Sequence, residues 1–457
     1  MSETRLLLKN IDEPDLHTIA VYERLGGYAS ARKALLEMEP EAVLHELEAS
    51  GLRGRGGAGF SMGKKASFIP KSTMDKYLCC NADESEPGAF KDRLLMQKNP
   101  HLLVEGCIIG AIAAGANKGF IFIRGEYELQ ADILDAAVAE AYGKGYLGER
   151  ILGSGHSFDL VVHRGKGAYI CGEETGLLDA LEGKRGNPRL KPPFPANQGL
   201  YQGPTLINNV ETLCNTPIII EKGADWYHRL GEGNSTGTKL VSVSGNVQRP
   251  GNYEIELGVS VREVIYGLAG GPPDGREIKC FFPGGSSAPV LTKEHLDLPF
   301  TYEAMAEAGS MLGTASVIVV DESQPLVPLA LRLAEFYRHE SCGKCVPCRE
   351  GTNWTVKMLE RLDEGEGTPM DLDILEQVQG NIIGNCLCVL GDSMAMPVAS
   401  MLKHFRPEFE RHMEAARERR DLTAMQAMGA EELGAEEDVG AQPAEPAASA
   451  KAGAGAA

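Results

Sequence analysis

Three cysteines constrain this chain more than any other feature. Cys342, Cys345 and Cys348 stand in SCGKCVPC, a C-x2-C-x2-C run. Three thiolates at three-residue spacing on a tight turn can take three corners of one cubane iron–sulfur cluster. A structural zinc site more often splits its ligands into two separated knuckles, and that reading stands as the rival, with plain core cysteines behind it. A fourth thiolate must come from elsewhere, and NCLCVLGD offers Cys386 and Cys388. The segments around these cysteines carry helical periodicity: VPLALRLAEFYRHE, REGTNWTVKMLERL, DLDILEQVQGNI and MPVASMLKHF. The C-terminal part therefore reads as a helical bundle with cysteines at two of its connections. Lys344 and Arg349, within and beside the triplet, are cations that stabilise thiolates.

Upstream, strand-like and helix-like segments alternate. KYLCCNADE, GFIFIRGE, FDLVVHRG and GAYICG read as strands. PHLLVEGCIIGAIAAGA, ELQADILDAAVAEAYGKG and EETGLLDALEGKR read as helices. That alternation implies an α/β layer with a mostly parallel sheet. KLVSVSGNV, GNYEIELG and ASVIVVDES read as short strands of a small α+β unit, with one helix at VREVIYGLAG. The organisation is thus an N-terminal helical segment (1–40), an α/β domain (41–235), a small α+β domain (236–325), a helical iron–sulfur domain (326–425) and an acidic, Ala-rich disordered tail (426–457).

Several loops in the α/β region suit a bound nucleotide. GLRGRGGAGF contains a literal G-x-G-x-x-G at Gly54, Gly56 and Gly59. The Rossmann fingerprint needs a strand before its glycines, but here the helical EPEAVLHELEAS precedes them. From Gly51 to Lys76 there are six basic residues and one acid, on a chain of net charge −19. Bare backbone among cations suits an anion, and a solvated basic loop is the plainer alternative. Asn81, Asp83, Glu84, Ser85 and Glu86 follow one strand, and Gly172, Glu173 and Glu174 follow another. Carboxylates at the carboxyl ends of parallel strands are placed to accept ligand hydroxyls, although one glutamate at a helix start needs only the helix dipole. Asn208 and Asn209 are adjacent amides that can hold phosphate or cap a helix.

The acidic balance argues against nucleic acid as a partner. The longest apolar run, GCIIGAIAAGA, is too short to span a bilayer. The N-terminus reads as neither secretory signal nor transit peptide. In a cytosolic chain the eleven cysteines are then core filler or metal ligands. Cys79, Cys80, Cys107, Cys171, Cys214 and Cys280, scattered through apolar patterns, read as filler.

GLRGRGGAGF, CNADESEPGAFKDR, YICGEETGLLDALEGKRGNPRLKPPFPA, INNVETL, and SCGKCVPCREGT with a later CVLGD together resemble one family, the 51-kDa flavoprotein type of respiratory complex I. The likeness covers roughly residues 40–410. It implies a Rossmann-like FMN/NADH domain, a β-grasp domain and a helical domain with a [4Fe–4S] cluster. It implies an NADH:quinone oxidoreductase in which hydride passes from NADH to FMN and electrons leave singly through the cluster. By motif position Gly54, Gly56, Gly57, Gly59 and Lys65 would approach flavin and dinucleotide. Asn81, Asp83, Glu84, Ser85, Gly172, Glu173, Asn208 and Asn209 would contact FMN. Glu86, Tyr169 and Glu174 would face the nicotinamide nucleotide, with Glu86 and Glu174 in catalytic positions. Phe60, Phe68 and Phe194 would pack on its adenine, with Lys191 near it. Cys342, Cys345, Cys348 and Cys388 would ligate the cluster. Implied partners are a [2Fe–2S] protein and a larger iron–sulfur protein of the same complex. The implied place is cytoplasmic, on the inner face of the inner membrane, held through those other chains without insertion. The diaphorase component of an NAD-linked hydrogenase or formate dehydrogenase shares this chemistry, and a non-catalytic iron–sulfur or zinc scaffold is the alternative of another class. One departure stands out: Ser61-Met62-Gly63-Lys64-Lys65-Ala66 replaces the family's Pro-Thr-Gly-Leu-Lys-Trp.

Overall fold

The protein is represented by a computed structural model that describes residues 3–72 and 74–437. Strands β1 (Tyr77–Ala82), β2 (Lys118–Ile123), β3 (Asp159–Arg164) and β4 (Thr205–Asn209) form a parallel sheet in the order β3-β2-β1-β4. β1 is central and pairs β2 on one side and β4 on the other. The chain thus departs from β1 in two directions, which opens a crevice at the carboxyl edge of the sheet. Register brings Asn81 directly beside Asn209 at that edge.

β1 is apolar on both faces because both faces are covered. Leu78, Cys80 and Ala82 point into a core shared with the helix Pro100–Ala114, whose residues are all buried. Tyr77 and Cys79, on the alternate face, join Phe122 and Ile207 in a second core. That second core continues into the C-terminal helices through Leu333, Tyr337, Cys348 and Val356. One face of the nucleotide-type sheet is therefore packed against the cysteine-bearing bundle.

Two expected features differ. GAYICG is a single 3-10 turn, Tyr169–Gly172, rather than a strand. β3 is already the sheet edge, and the glycine-broken stretch after it leads the chain away from the ladder. PTLINNVETL, notable in sequence for its amides, supplies β4 and the start of the helix Val210–Lys222.

A two-stranded hairpin, β5 (Gly231–Glu232) with β6 (Ser235–Thr236), leads to the second sheet. Its strands β7 (Thr238–Gly245), β8 (Gly251–Glu256), β9 (Ile278–Phe282), β10 (Leu291–Thr292) and β11 (Ser316–Asp321) lie in the order β10-β9-β11-β7-β8. The β7–β11 pair is parallel and the others antiparallel. Glu254 of β8 accepts the backbone N–H groups of Leu6, Leu7 and Leu8 at 2.8–3.0 Å, which straps the N-terminal segment to this sheet.

The C-terminal bundle comprises the helices Leu326–Glu340, Val346–Asp363, Pro369–Ile382 and Leu390–Glu437, the last broken at Phe405 ahead of Pro407. Of the tail expected at 426–457, residues 438–457 lie outside the described residues, and those before them continue this helix. Among the described residues no helix is long and apolar enough to cross a membrane.

Candidate functional site

The glycine loop lies between a helix, Pro40–Ala49, and the short helix Met62–Ser67, so the strand that a dinucleotide fingerprint requires comes after it. A β-bridge between Arg53 and Ser61 closes the loop. Gly56 packs on β4: a Cβ there would sit 2.8 Å from that of Asn209. Gly59 has φ +64° and would drive a Cβ into the Tyr302 ring at 2.6 Å. Arg53 and Arg55 are both engaged by the protein itself. Arg53 stacks on Tyr302, 3.9 Å from its ring centre, and pairs with Glu303 at 2.5 Å. Arg55 is fully buried and donates to the Thr236 carbonyl at 2.6 Å. These two cations hold the loop against the hairpin strand β6 and the short helix Tyr302–Glu307. Lys65 instead reaches Glu174 at 2.8 Å.

The acidic turn after β1 is largely self-satisfied. Asn81 Nδ2 donates to the Gly172 carbonyl at 2.8 Å, and Ser85 donates to Asp83. Burial pushes the Asp83 carboxyl up to about 7. Glu84 is buried and caps the helix Lys91–Lys98, accepting the N–H groups of Asp92 and Arg93 at 2.8 and 2.9 Å. Burial pushes it, too, up to about 7. Glu173 likewise caps the helix Glu174–Leu181 through Thr175 and Gly176, while its other oxygen accepts from Lys191 at 3.0 Å. Glu174 meets Lys65 and Lys191; burial opposes its charge, and the two lysines prevail and lower its pKa.

Glu86 lies where three regions meet. Its carboxylate accepts from Tyr169 Oη at 2.7 Å and from the Ser287 N–H at 2.8 Å. Asn209 is occupied as a cap, accepting from the Glu211 N–H at 3.0 Å and donating to Asp92 at 2.7 Å. Asn208, its neighbour, differs: Nδ2 is buried with no partner. An unsatisfied buried donor costs about 1–3 kcal/mol, so this amide fits a ligand acceptor. Phe60 and Phe68 stand half-exposed with ring centres 6.2 Å apart, and Phe194 is similarly exposed. Exposed rings beside a nucleotide site suit base stacking.

Sequence reasoning missed a buried ionic network below this site. Lys91 pairs with Asp92 and Glu211 at 2.7 and 2.8 Å, and Lys239 pairs with Glu211 at 2.5 Å. All four are buried. Burial opposes the Lys91 charge, but its carboxylate neighbours outweigh that and raise its pKa. Lys91 and Asp92 stand in CNADESEPGAFKDR, but nothing local marks them as buried. Ser286, Ser287 and Tyr337 were missed for the same reason.

The cysteines Cys342, Cys345, Cys348, Cys386 and Cys388 line one small cavity with Ile170, Ser341, Lys344 and Leu390. Among the described residues no three His, Cys, Asp or Glu side chains are drawn together tightly enough for a single ion. Zinc would hold every sulfur at about 2.3 Å from one point, whereas a cubane holds one thiolate per iron and keeps the sulfurs apart. Five thiols around one cavity supply the four thiolates that a [4Fe–4S] cluster takes. Cys386 Sγ donates to the Ile382 carbonyl at 3.8 Å. Burial pushes Cys386 up to about 12 and Cys388 to about 11, the latter opposed by the Leu390 N–H. Lys344 donates to the Pro188 carbonyl at 2.7 Å and so ties the cysteine turn to the α/β domain. The other six cysteines are buried.

A crevice at the carboxyl edge of a parallel sheet, packed on a thiol-lined cavity, defines a nucleotide-binding iron–sulfur oxidoreductase. Residues 47–218 match the Nuo51 FMN-binding domain, residues 240–291 the SLBB domain, and residues 328–412 the NADH-ubiquinone oxidoreductase-F iron-sulfur binding region. The F 2 subunit of the NADH-quinone oxidoreductase of Rhizobium meliloti is 52% identical over 90% of this chain and 98% of its own. The F subunit of the Escherichia coli NADH-quinone oxidoreductase is 48% identical over 85% of this chain and 88% of its own. A crystal structure of an NAD+-reducing [NiFe]-hydrogenase in the air-oxidized state is 35% identical with TM-score 0.77, covering 90% of this chain and 67% of that one. The chain belongs to the family of NADH-quinone oxidoreductase F subunits. It is an oxidoreductase whose cofactors are FMN and a [4Fe–4S] cluster.

Proposed function

We propose that this chain is the NADH-oxidising component of a multi-subunit NADH-quinone oxidoreductase. FMN, when bound, would supply the conversion of a hydride's electron pair into single electrons, and a [4Fe–4S] cluster would supply one-electron transfer onward. The chain's own task is geometric. Phe60, Phe68 and Phe194 offer faces to the adenine, with Lys191 beside them. Glu86 with Tyr169, and Glu174 with Lys65, position the nicotinamide half. Asn81, Asp83, Ser85, Asn208 and the Gly172 backbone line the flavin site. Glu84, Glu173 and Asn209 shape it from helix caps, and Gly54, Gly56, Gly57 and Gly59 leave backbone bare beside it. Cys342, Cys345, Cys348 and Cys388 would hold the cluster. Cys388 is favoured over Cys386 because Cys386 is turned to the Ile382 carbonyl, at the end of the helix before it.

The observation that carries this reading is the turn Tyr169–Gly172. Tyr169 bonds Glu86, the Gly172 carbonyl accepts from Asn81, and Ile170 between them lines the cysteine cavity. Four residues thus join both cofactor sites, which is what transfer between them needs. A [2Fe–2S] protein and a larger iron–sulfur protein of the complex would receive the electrons, at the cytoplasmic face of the inner membrane. The hydrogenase likeness supports a second reading, the diaphorase component of such an enzyme. Purification of the native assembly separates the two by its other chains. The test of the chemistry is anaerobic addition of NADH to the holoprotein. Flavin absorbance should bleach and a reduced-cluster resonance should appear. A colourless protein, or one that NADH leaves oxidised, overturns the proposal.

A further inference from the structure

The helix Leu326–Glu340 ends at the cysteine turn, and its last two turns reach back into the nucleotide site. Tyr337 is fully buried, with its hydroxyl 2.9 Å from Ser286 Oγ. Ser286 Oγ lies 3.4 Å from Glu86 Oε1. One hydroxyl has a single proton to give, so these contacts have a direction. An ionised Glu86 only accepts, so Ser286 donates to it and Tyr337 donates to Ser286. The ring of Tyr337 also stands edge-on to Tyr169, 5.7 Å between centres, and Tyr169 is the other hydroxyl donor to Glu86. Glu340, one turn on, accepts the Tyr169 N–H at 2.9 Å. The β-grasp loop carrying Ser286 and Ser287 is therefore clamped between the acidic turn and the cluster-bearing helix.

We infer that Tyr337 is a positioning residue for nicotinamide binding. Acting through Ser286, it fixes the carboxylate of Glu86 from the helix that leads into the cluster. This rests on the reading above that Glu86 faces the nicotinamide nucleotide. Burial raises the Glu86 pKa, and its hydroxyl and amide donors oppose that rise, so each donor lost also weakens the carboxylate's charge.

The test uses the intact complex with Tyr337→Phe, Ser286→Ala and Glu86→Gln. Losing one hydrogen bond in such a chain should raise KM for NADH about fivefold in Tyr337→Phe, with kcat changed less than about twofold. FMN and iron contents should hold. Tyr337→Phe combined with Glu86→Gln should bind NADH no more weakly than Glu86→Gln alone, because the tyrosine acts only through that carboxylate. Tyr22→Phe, which removes a buried hydroxyl bond to Glu105 away from the site, is the structural control: its melting temperature should fall and its KM stay. Should Glu86→Gln change KM and Tyr337→Phe not, the inference is wrong and the reading of Glu86 stands. An unchanged KM in Glu86→Gln overturns that reading and the inference with it. Additive effects in the double variant also overturn the inference. If Tyr337→Phe does not fold, Ser286→Ala decides by the same KM criterion.

Discussion

The acidic turn after β1 and the cysteine turn before the helix Val346–Asp363 are both loops that present clustered acidic side chains, carboxyls in one and thiols in the other, yet they are built by opposite means. In the first, nearly every side chain is already bonded: Glu84 to two helix amides, Glu86 to Tyr169 and Ser287, Asp83 to Ser85. In the second, the thiols meet weaker partners, a Leu387 N–H at 3.3 Å for Cys345 and a Ser341 hydroxyl at 3.3 Å for Cys348. Burial pushes the Cys348, Cys386 and Cys388 thiols up. A pocket that the protein satisfies by itself is preorganised and tolerates single losses in a graded way. A thiol cavity is completed by metal charge, which deprotonates its ligands, so its losses are all-or-none.

Cys388→Ala should produce the largest effect: complete loss of the [4Fe–4S] resonance, with NADH-to-ferricyanide activity largely kept. Cys386→Ala should keep the resonance, and its loss there would reverse the ligand assignment. A partial, graded signal in either variant would break the contrast between the two turns.

Next comes the ionic network under the pocket. Lys91→Met leaves Asp92 and Glu211 buried beside a missing cation, which should destabilise the protein by about 3–5 kcal/mol in urea unfolding. A loss below about 1 kcal/mol would mean that water enters and the pocket floor is not dry.

A comparable effect concerns pH. The folded Asp83 carboxyl, pushed up to about 7 from 3.8, keeps a proton that the unfolded chain has already lost between those values. Flavin-depleted protein should therefore lose stability as pH rises from about 4 to 7, with no further loss from this group above that. Asp83→Asn should flatten the fall in stability across this window by the equivalent of roughly 4 kcal/mol. An unchanged slope would assign it to other groups. Smallest is Phe68→Ala, a half-exposed ring, for which KM for NADH should rise about fivefold with FMN content unchanged. A loss of flavin instead would place this ring in the other half of the pocket.

Local pattern in the sequence was enough for three things: the parallel α/β layer, the helical bundle and the cysteine turn. Each rests on neighbours in the chain, namely alternation of strand and helix, a period of 3.6, and a three-residue spacing of thiols. The glycine loop was legible as something other than the Rossmann fingerprint, because helix–glycine order is also local. Other features depended on contacts between distant segments. GAYICG has a strand's composition and became a turn because β3 already closes the sheet edge. Glu84 and Asn209 became helix caps, while Asn208, one residue from Asn209, kept a free donor. Adjacent residues of one type parted roles because β4 and the helix after it face them in different directions. The clamp of Glu86 by Ser286 and Tyr337 joins residues separated by 200 and 51 positions, and no periodicity encodes such separations. Sequence determined which chemical groups were present and which elements carried them. Tertiary structure decided which of those groups were consumed by the fold and which were left over for a ligand, since hydrogen-bond satisfaction is settled only when distant chain segments meet.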